Sequence, residues 1–199
     1  MPTDPSTSNV PADAPGPAGD RDAAVTVRPA TAADVPAVAE LAALTFPLAC
    51  PPDSPEADQQ AFIAAVLSAE RFAGYLADPT RDVLVSADRT GRPVGYTMLV
   101  EGEPSDEDVR DALTIRPTIE LSKCYVHPGH HGSGVAGALM AASLEAARER
   151  GALGMWLGVN QLNARAQAFY TRSGFAVVGT KHFQVGGRLE DDYVLERPL

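Results

Sequence analysis

The chain has 199 residues, 45% of them apolar and 21% charged, with a formal net charge of −10; this is enough for one domain with a full core. The acidity excludes the basic stripe a nucleic-acid binder needs to release counterions from phosphates, and no run of about 18 uncharged apolar residues offers a membrane span. Two cysteines, Cys50 and Cys124, make no disulfide framework, and no basic stretch leads into an apolar one at the N-terminus, so the cytoplasm is the expected location.

Residues 1–24 are rich in Pro, Ala, Asp and Ser and nearly free of large apolar side chains. Their burial cannot offset the entropy of ordering them, so a disordered tail is expected ahead of one domain over 25–199. "VTVRPAT" reads as a short alternating strand. "TAADVPAVAELAALTF" places Val35, Val38, Leu41 and Leu44 on one helical face, with Thr31 or Asp34 as cap and Pro36 in the first turn. "PLACPPDSP" is expected to break the chain within a long connection over 46–60. A second helical region follows, with Phe62, Val66, Leu67, Phe72 and Leu76 as its apolar stripe. Residues 83–87 and 93–101 read as a hairpin closed by a Gly-containing turn.

Residues 102–118 form an acidic insertion with room for one helical turn. A strand over 119–126 precedes the stretch "HPGHHGSG" and a helix that runs to about Arg150. "LGMWLGVN" is a further strand with Trp156 in the core. "NARAQAFYTRSG" is a short helix that Asn163 can cap and Gly174 can stop, with Phe169 packed inward. Two antiparallel strands around Gly186-Gly187 finish the chain. The order β, α, α, β, β, β, α, β, α, β, β predicts a mixed α/β sheet with helices on its faces.

Four glycines fall between His127 and Ala138, where the strand hands over to the helix. A helix N-terminus leaves backbone N–H groups without partners and carries about half a positive charge. Glycines there let an anion approach the backbone closely. The turn is therefore either a phosphate cradle or a turn chosen for geometry alone. Gly132-Ser-Gly134-Val-Ala-Gly137 matches the dinucleotide fingerprint literally. The following strand, however, ends in Val159-Asn160 with no acidic residue for a ribose, and too little chain remains for a doubly wound sheet. No Lys-Ser or Lys-Thr follows, which excludes a P-loop.

The surrounding residues carry a third reading. Over 120–175 the chain resembles the GNAT family of acetyl-CoA-dependent N-acetyltransferases. The family's Arg/Gln-x-x-Gly-x-Gly/Ala signature is matched by His131-Gly-Ser-Gly134-Val-Ala136, with His131 departing from the usual Arg or Gln. "ELSKCYVHP" resembles the strand before that signature, and "VNQLNARAQAFYTRSGF" resembles the element after it. The resemblance implies one mixed, mostly antiparallel sheet of about seven strands, with helices on both faces. It implies that this sheet is splayed between the strand ending near Val126 and the strand ending near Asn160. It further implies that the amides of His131, Gly132, Ser133, Gly134, Val135 and Ala136 wrap the pyrophosphate of acetyl-CoA, and that a backbone N–H near Tyr125 and Val126 polarises the thioester carbonyl. Asn163 matches a position near the cofactor.

By the same resemblance Tyr170 matches the family's general acid and Glu120 an acidic residue that several members use as base, often through water. A phenol with an ordinary pKa near 10 keeps its proton at neutral pH and can give it to a leaving thiolate. Cys124 lies inside an apolar strand and reads as a structural thiol rather than a nucleophile. His127, His130 and His131 lie in a loop with no fourth ligand nearby, so no metal is expected. The resemblance implies a primary amine of a small molecule or peptide as acceptor, with the long 46–60 connection as a candidate wall of its pocket. Two acidic clusters, one over 101–108 and one at Glu190, Asp191 and Asp192, would favour a cationic acceptor or only solvate the surface. No nucleic-acid or membrane partner is expected, and a homodimer is left open. The alternative from a different class is a non-catalytic acetyl-CoA-sensing or protein-binding module on the same fold.

Overall fold

The computed structural model describes residues 26–51, 53–185 and 188–199. The expected tail at 1–24 and the Gly186-Gly187 turn lie outside the described residues.

Strand β1 (Val27–Pro29) enters the sheet and leads through Asp34 into helix α1 (Val35–Ala49). Asp34 is buried and fixes that junction. Its carboxylate accepts two hydrogen bonds from the Arg28 guanidinium, at 2.7 and 2.8 Å, and others from the Thr31 amide and hydroxyl. Pro36 sits in the first turn, where no N–H is needed.

The buried face of α1 is Val35, Val38, Leu41, Ala42, Thr45 and Phe46, whereas Leu44 is 49% exposed. The expected stripe had Leu44 inward. At 3.6 residues per turn each three-residue step falls about 60° short of a full turn, so a run of such steps rotates off the core. The expected break at Pro47 also falls later. The helix continues through Pro47 for two residues and ends at Cys50, which is extended.

The single helical region expected next is two helices, α2 (Glu56–Val66) and α3 (Ala69–Ala77). They part at Leu67 and Ser68, where the Ser68 hydroxyl accepts from the Arg71 amide at 3.3 Å and caps α3. Phe72 and Leu67 are buried against α1, β2 and β3, while Phe62, Val66 and Leu76 pack on that cluster from its rim. By length and composition Ala32–Ala49 could cross a membrane, but here its apolar face is the one that covers the sheet.

Strands β2 (Arg81–Ala87) and β3 (Pro93–Glu101) form the expected hairpin. The acidic insertion holds a short helix, α4 (Glu107–Ala112), capped by Asp106. Then come β4 (Thr118–Val126), α5 (Val135–Glu149), β5 (Gly154–Asn160), α6 (Ala164–Arg172), β6 (Ala176–Val185) and β7 (Arg188–Pro198). The sheet has seven strands in the order β1-β2-β3-β4-β5-β7-β6, and every neighbouring pair is antiparallel except β4 with β5. Helices α1 to α3 cover one face and α5 the other. Gly95 lets α5 settle on β3, since a Cβ there would lie 2.8 Å from Leu139 Cδ1 and 2.9 Å from Val135 Cγ1.

Two features of β4 position everything that follows. It carries one extra residue against β3, because the register passes from Met98↔Lys123 to Leu99↔Leu121 and leaves Ser122 as a bulge. It also pairs with β5 only at Thr118↔Gly154, Ile119↔Met155 and Glu120↔Trp156.

Candidate active site

Beyond Glu120↔Trp156, β4 and β5 separate, yet each stays paired on its other side. β4 remains with β3 as far as Val126, and β5 remains with β7 as far as Asn160. The sheet therefore opens in its middle. Two cavities of about 430 Å³ and about 460 Å³ meet at this opening, and Ala49, Cys124, Tyr125, Asn163, Ala166 and Tyr170 line both.

The larger cavity is a groove built on the glycine turn. Gly132 and Gly134 adopt φ of 80° and 88°, the left-handed region that glycine enters without strain. The first hydrogen bond of α5 runs from the Ala138 amide to the Gly134 carbonyl. The amides of Val135, Ala136 and Gly137 precede it and belong to the helix end that lacks internal acceptors. His131, Gly132, Gly134, Ala136 and Gly137 line the groove, and Arg165 and Arg172 of α6 supply positive charge to it. Both arginines escape motif reading, since only the packing of α6 against the opening reveals them.

The turn differs from the expectation at two residues, His131 and Ser133. The His131 amide donates to the Pro128 carbonyl and the Ser133 amide to the His130 carbonyl, so neither is free for a ligand. The His131 ring is engaged through Nε2 with the Val126 carbonyl at 3.1 Å, and the Ser133 hydroxyl donates to the His130 carbonyl at 2.6 Å. The Val135 side chain is buried beneath α5. His131 and Ser133 thus shape the turn with their own hydrogen bonds, and the free donors are one step further along the chain. His127 accepts from the Gly129 amide at 3.0 Å through Nδ1. Among the described residues no group of three or more His, Cys, Asp and Glu is placed to hold a metal ion.

At the junction the Tyr170 hydroxyl and the Cys124 thiol are close enough to influence each other, and burial pushes both groups up, the thiol to about 12. Cys124 is therefore a protonated thiol facing the opening, rather than one enclosed in the core. Asn163 caps α6, its Oδ1 accepting from the Ala166 amide at 3.0 Å, and it also lines both cavities.

The second cavity has an apolar wall from α1 and α2, including Phe46, Cys50, Phe62 and Val66, so the 46–60 region shapes it mainly through the helices at its ends. Its polar wall converges from three strands: Glu120, Ser122 and Lys123 of β4, Lys181 of β6, and Glu190 and Asp192 of β7. Burial raises Glu120, against the opposing fields of Lys181, Lys123 and Arg81. Burial lowers Lys123 to about 8, and its ammonium lies 5.4 Å from the Tyr75 ring centroid. Burial raises Asp192 to about 6 against the attraction of Lys181, with Glu190 and Asp191 adding to the rise. Of the two acidic clusters, the one at 101–108 turns away. Glu101 pairs with Arg150, Glu103 with Arg116 and Glu107 with Arg110, and Asp106 caps α4. Asp191 pairs with His182 at 3.0 Å, leaving Glu190 and Asp192 as the members that reach the cavity.

The comparisons with known proteins agree with this geometry. Residues 36–175 match the Acetyltransferase (GNAT) family. An uncharacterized N-acetyltransferase of Mycobacterium tuberculosis is 47% identical over 166 residues, covering 83% of this chain and 98% of that one. A streptothricin acetyltransferase of Streptomyces lavendulae is 48% identical over 54 residues, 27% of this chain and 29% of that one. The crystal structure of the PaiA N-acetyltransferase from Thermoplasma acidophilum in complex with coenzyme A superposes with a TM-score of 0.70 at 16% identity, over 89% of this chain and 100% of that one. The chain belongs to the GNAT acetyltransferase family.

Proposed function

We propose that the protein transfers the acetyl group of acetyl-CoA to a primary amine of a small molecule or peptide, by direct attack with both substrates bound. The observation that carries this reading is the meeting of two cavities at Cys124, Tyr125, Asn163 and Tyr170, in the gap where β4 leaves β5. One cavity takes each substrate, and they share only the reaction point.

The residues of the groove fit acetyl-CoA. Its donor set is one an anionic pyrophosphate requires: the backbone amides at the start of α5, left-handed glycines that keep the approach clear, and the guanidinium groups of Arg165 and Arg172. A Cβ on Gly132 or Gly134 would meet nothing within 4 Å, so the space over the turn is open to a ligand. When bound, acetyl-CoA supplies an activated acyl group and a good leaving thiolate. Tyr125 and Val126, at the end of β4, offer backbone to the carbonyl.

Tyr170 protonates the departing sulfur. Burial keeps its proton in place at any working pH, and its hydroxyl lies beside a sulfur atom, that of Cys124. The acceptor amine arrives as an ammonium with a pKa near 10 and must lose a proton before it attacks. Glu120 stands at the root of the opening, roughly 10 Å below Cys124 along β4, and acts on the amine through water. The carboxylates of the acceptor cavity favour a cationic acceptor. The protein acts in the cytoplasm.

Titration with acetyl-CoA, followed by thiol release in the presence of amines, tests the reading. Binding with turnover supports it. Binding without release of free CoA under any amine favours a sensing module instead, and no binding removes it.

A further inference from the structure

Strand register sets the height of each carboxylate along the opening. Glu120 is level with Trp156, the last residue of β5 that β4 reaches. Counting up from there, and allowing for the extra residue at Ser122, Asn160 of β5 stands level with Cys124 and Tyr125 of β4. Asp192 is the partner of Asn160 on β7. The Asp192 carboxylate therefore stands beside the junction of the two cavities, while Glu120 stands at its foot. Independent support comes from Tyr125. Burial raises its hydroxyl, and the negative field of Asp192 adds to that rise across the opening.

The carboxylate is also unsatisfied. Asp192 is 7% exposed, and its Oδ1 has no hydrogen-bond partner among the described residues although the side chain lines the acceptor cavity. A buried carboxylate oxygen without a partner costs on the order of 1–3 kcal/mol, and an incoming N–H donor would relieve it. Gly158 keeps the site clear: a Cβ there would lie 2.6 Å from Lys181 Cε and 3.3 Å from Asp192 Oδ2.

We propose that Asp192 is the catalytic residue that receives the acceptor's ammonium at the junction and takes its proton. This rests on the acetyltransfer reading above. The ammonium gives one proton to the Asp192 carboxylate. The freed nitrogen lone pair forms the C–N bond to the thioester carbonyl carbon as the C–S bond breaks. The sulfur takes the Tyr170 proton, the phenol is restored by the second proton leaving nitrogen, and the Asp192 carboxyl later releases its proton to solvent. The products are the N-acetylated amine and free CoA thiol. Glu120 then contributes charge and ordered water rather than first contact.

The test compares Asp192→Asn with Glu120→Gln in the whole chain. Each variant is first titrated with acetyl-CoA to show that the groove is intact. Thiol release is then followed with putrescine, lysine, kanamycin and an alanyl peptide, and the pH profile is read between about pH 6 and 9 with putrescine, whose alkylammonium groups stay mostly protonated there. Titratable groups facing this point are Glu190 on β7, Lys181 on β6, Glu120, Lys123, Cys124 and Tyr125 on β4, Cys50 after α1, and Tyr170 on α6, while Asp191 on β7 points outward and acts only through its field.

Asp192→Asn is expected to lower kcat by about 10²-fold or more at unchanged acetyl-CoA affinity. Its residual rate with putrescine should climb about tenfold per pH unit as free amine accumulates, more steeply than that of Glu120→Gln. A raised KM with unchanged kcat in Asp192→Asn would reduce the residue to a binding role and overturn the proposal. So would an unaltered pH profile in Asp192→Asn, whatever Glu120→Gln does. If the unsubstituted protein binds acetyl-CoA but acetylates none of the four amines, the acetyltransfer reading fails and the role of Asp192 fails with it.

Discussion

The Tyr170 hydroxyl and the Cys124 thiol are neighbours at the point where the two cavities meet. One residue comes from α6 and the other from β4, so the pair spans the opening between the halves of the sheet. It sets the phenol beside a sulfur atom inside the opening. Replacing Tyr170 with Phe is expected to lower kcat by roughly 10²-fold or more, the size of one general acid. Acetyl-CoA affinity by calorimetry should stay the same. An unchanged kcat would remove Tyr170 from the mechanism.

Cys124 faces the same junction, but burial holds its thiol at about 12, and a thiol is not the nucleophilic form. Cys124→Ala should therefore keep kcat within about tenfold of wild type, since it removes no acid or base. Iodoacetamide should label Cys124 slowly at neutral pH. Complete loss of turnover in the alanine variant, with normal acetyl-CoA binding, would point instead to an acetyl-enzyme.

Gly137 separates binding from stability at the glycine turn. It lines the groove within the first turn of α5, has no positive φ, and an added Cβ would meet nothing within 4 Å. A glutamate there favours the helix start by about 0.3–1 kcal/mol while setting a negative charge against the phosphates. Gly137→Glu is expected to leave Tm unchanged or higher and to weaken acetyl-CoA at least tenfold. An unchanged Kd would show that the phosphates lie elsewhere.

Asp34 anchors the start of α1. The Arg28 guanidinium holds its carboxyl well below the usual carboxylate range, and bonds from Thr31 add to this against the cost of burial. A depressed folded pKa gives stability that is present above the unfolded value near 3.9 and is lost as pH falls through the folded one. Asp34→Asn should cost about 2 kcal/mol at neutral pH, a Tm loss of about 4–8 °C in a chain of this size. The gap between variant and wild type should narrow steadily below about pH 4 in thermal melts.

Asp192 carries the opposite sign. Its folded pKa is raised to about 6, so its contribution favours the folded state at low pH and turns unfavourable as pH rises from the unfolded value near 3.9 through the folded one. Asp192→Asn should raise Tm by about 2–6 °C at pH 8 and converge with wild type below about pH 4. A variant that is more stable and less active would mark a carboxylate kept for chemistry rather than for the fold. A lowered Tm at pH 8 would count against that account.

Much of this site was legible because much of it is local. The turn glycines, Asn163 and Tyr170 each belong to a short element whose cap, turn or helix can be read from neighbours, and each lines the opening. Lys123, Lys181 and Asp192 were harder to read. They meet only because β7 lies between β5 and β6 in the sheet, a placement that no local pattern records. The run Glu190-Asp191-Asp192 shows the same limit. Strand alternation sends Glu190 and Asp192 into the cavity and Asp191 outward to His182, but which face is inward depends on what packs there. Leu44 was misplaced for a related reason: spacing by threes approximates a helical face over one turn and drifts over three.

The brief pairing of β4 with β5 also changes how many edges the sheet has. An open sheet has two outer strands whose backbone groups await partners. This one has two more inside it, where β4 above Glu120 and β5 above Trp156 turn toward each other without bonding. Other proteins blunt exposed edges with charge, proline or a bulge. Here Ser122 interrupts one inner edge as a bulge, α6 closes over one side of the gap, and the ends of α1 and α2 close over the other. The same unspent backbone that admits a ligand would template a foreign strand if those covers were removed, so the helices flanking the opening guard against aggregation as well as shaping the site.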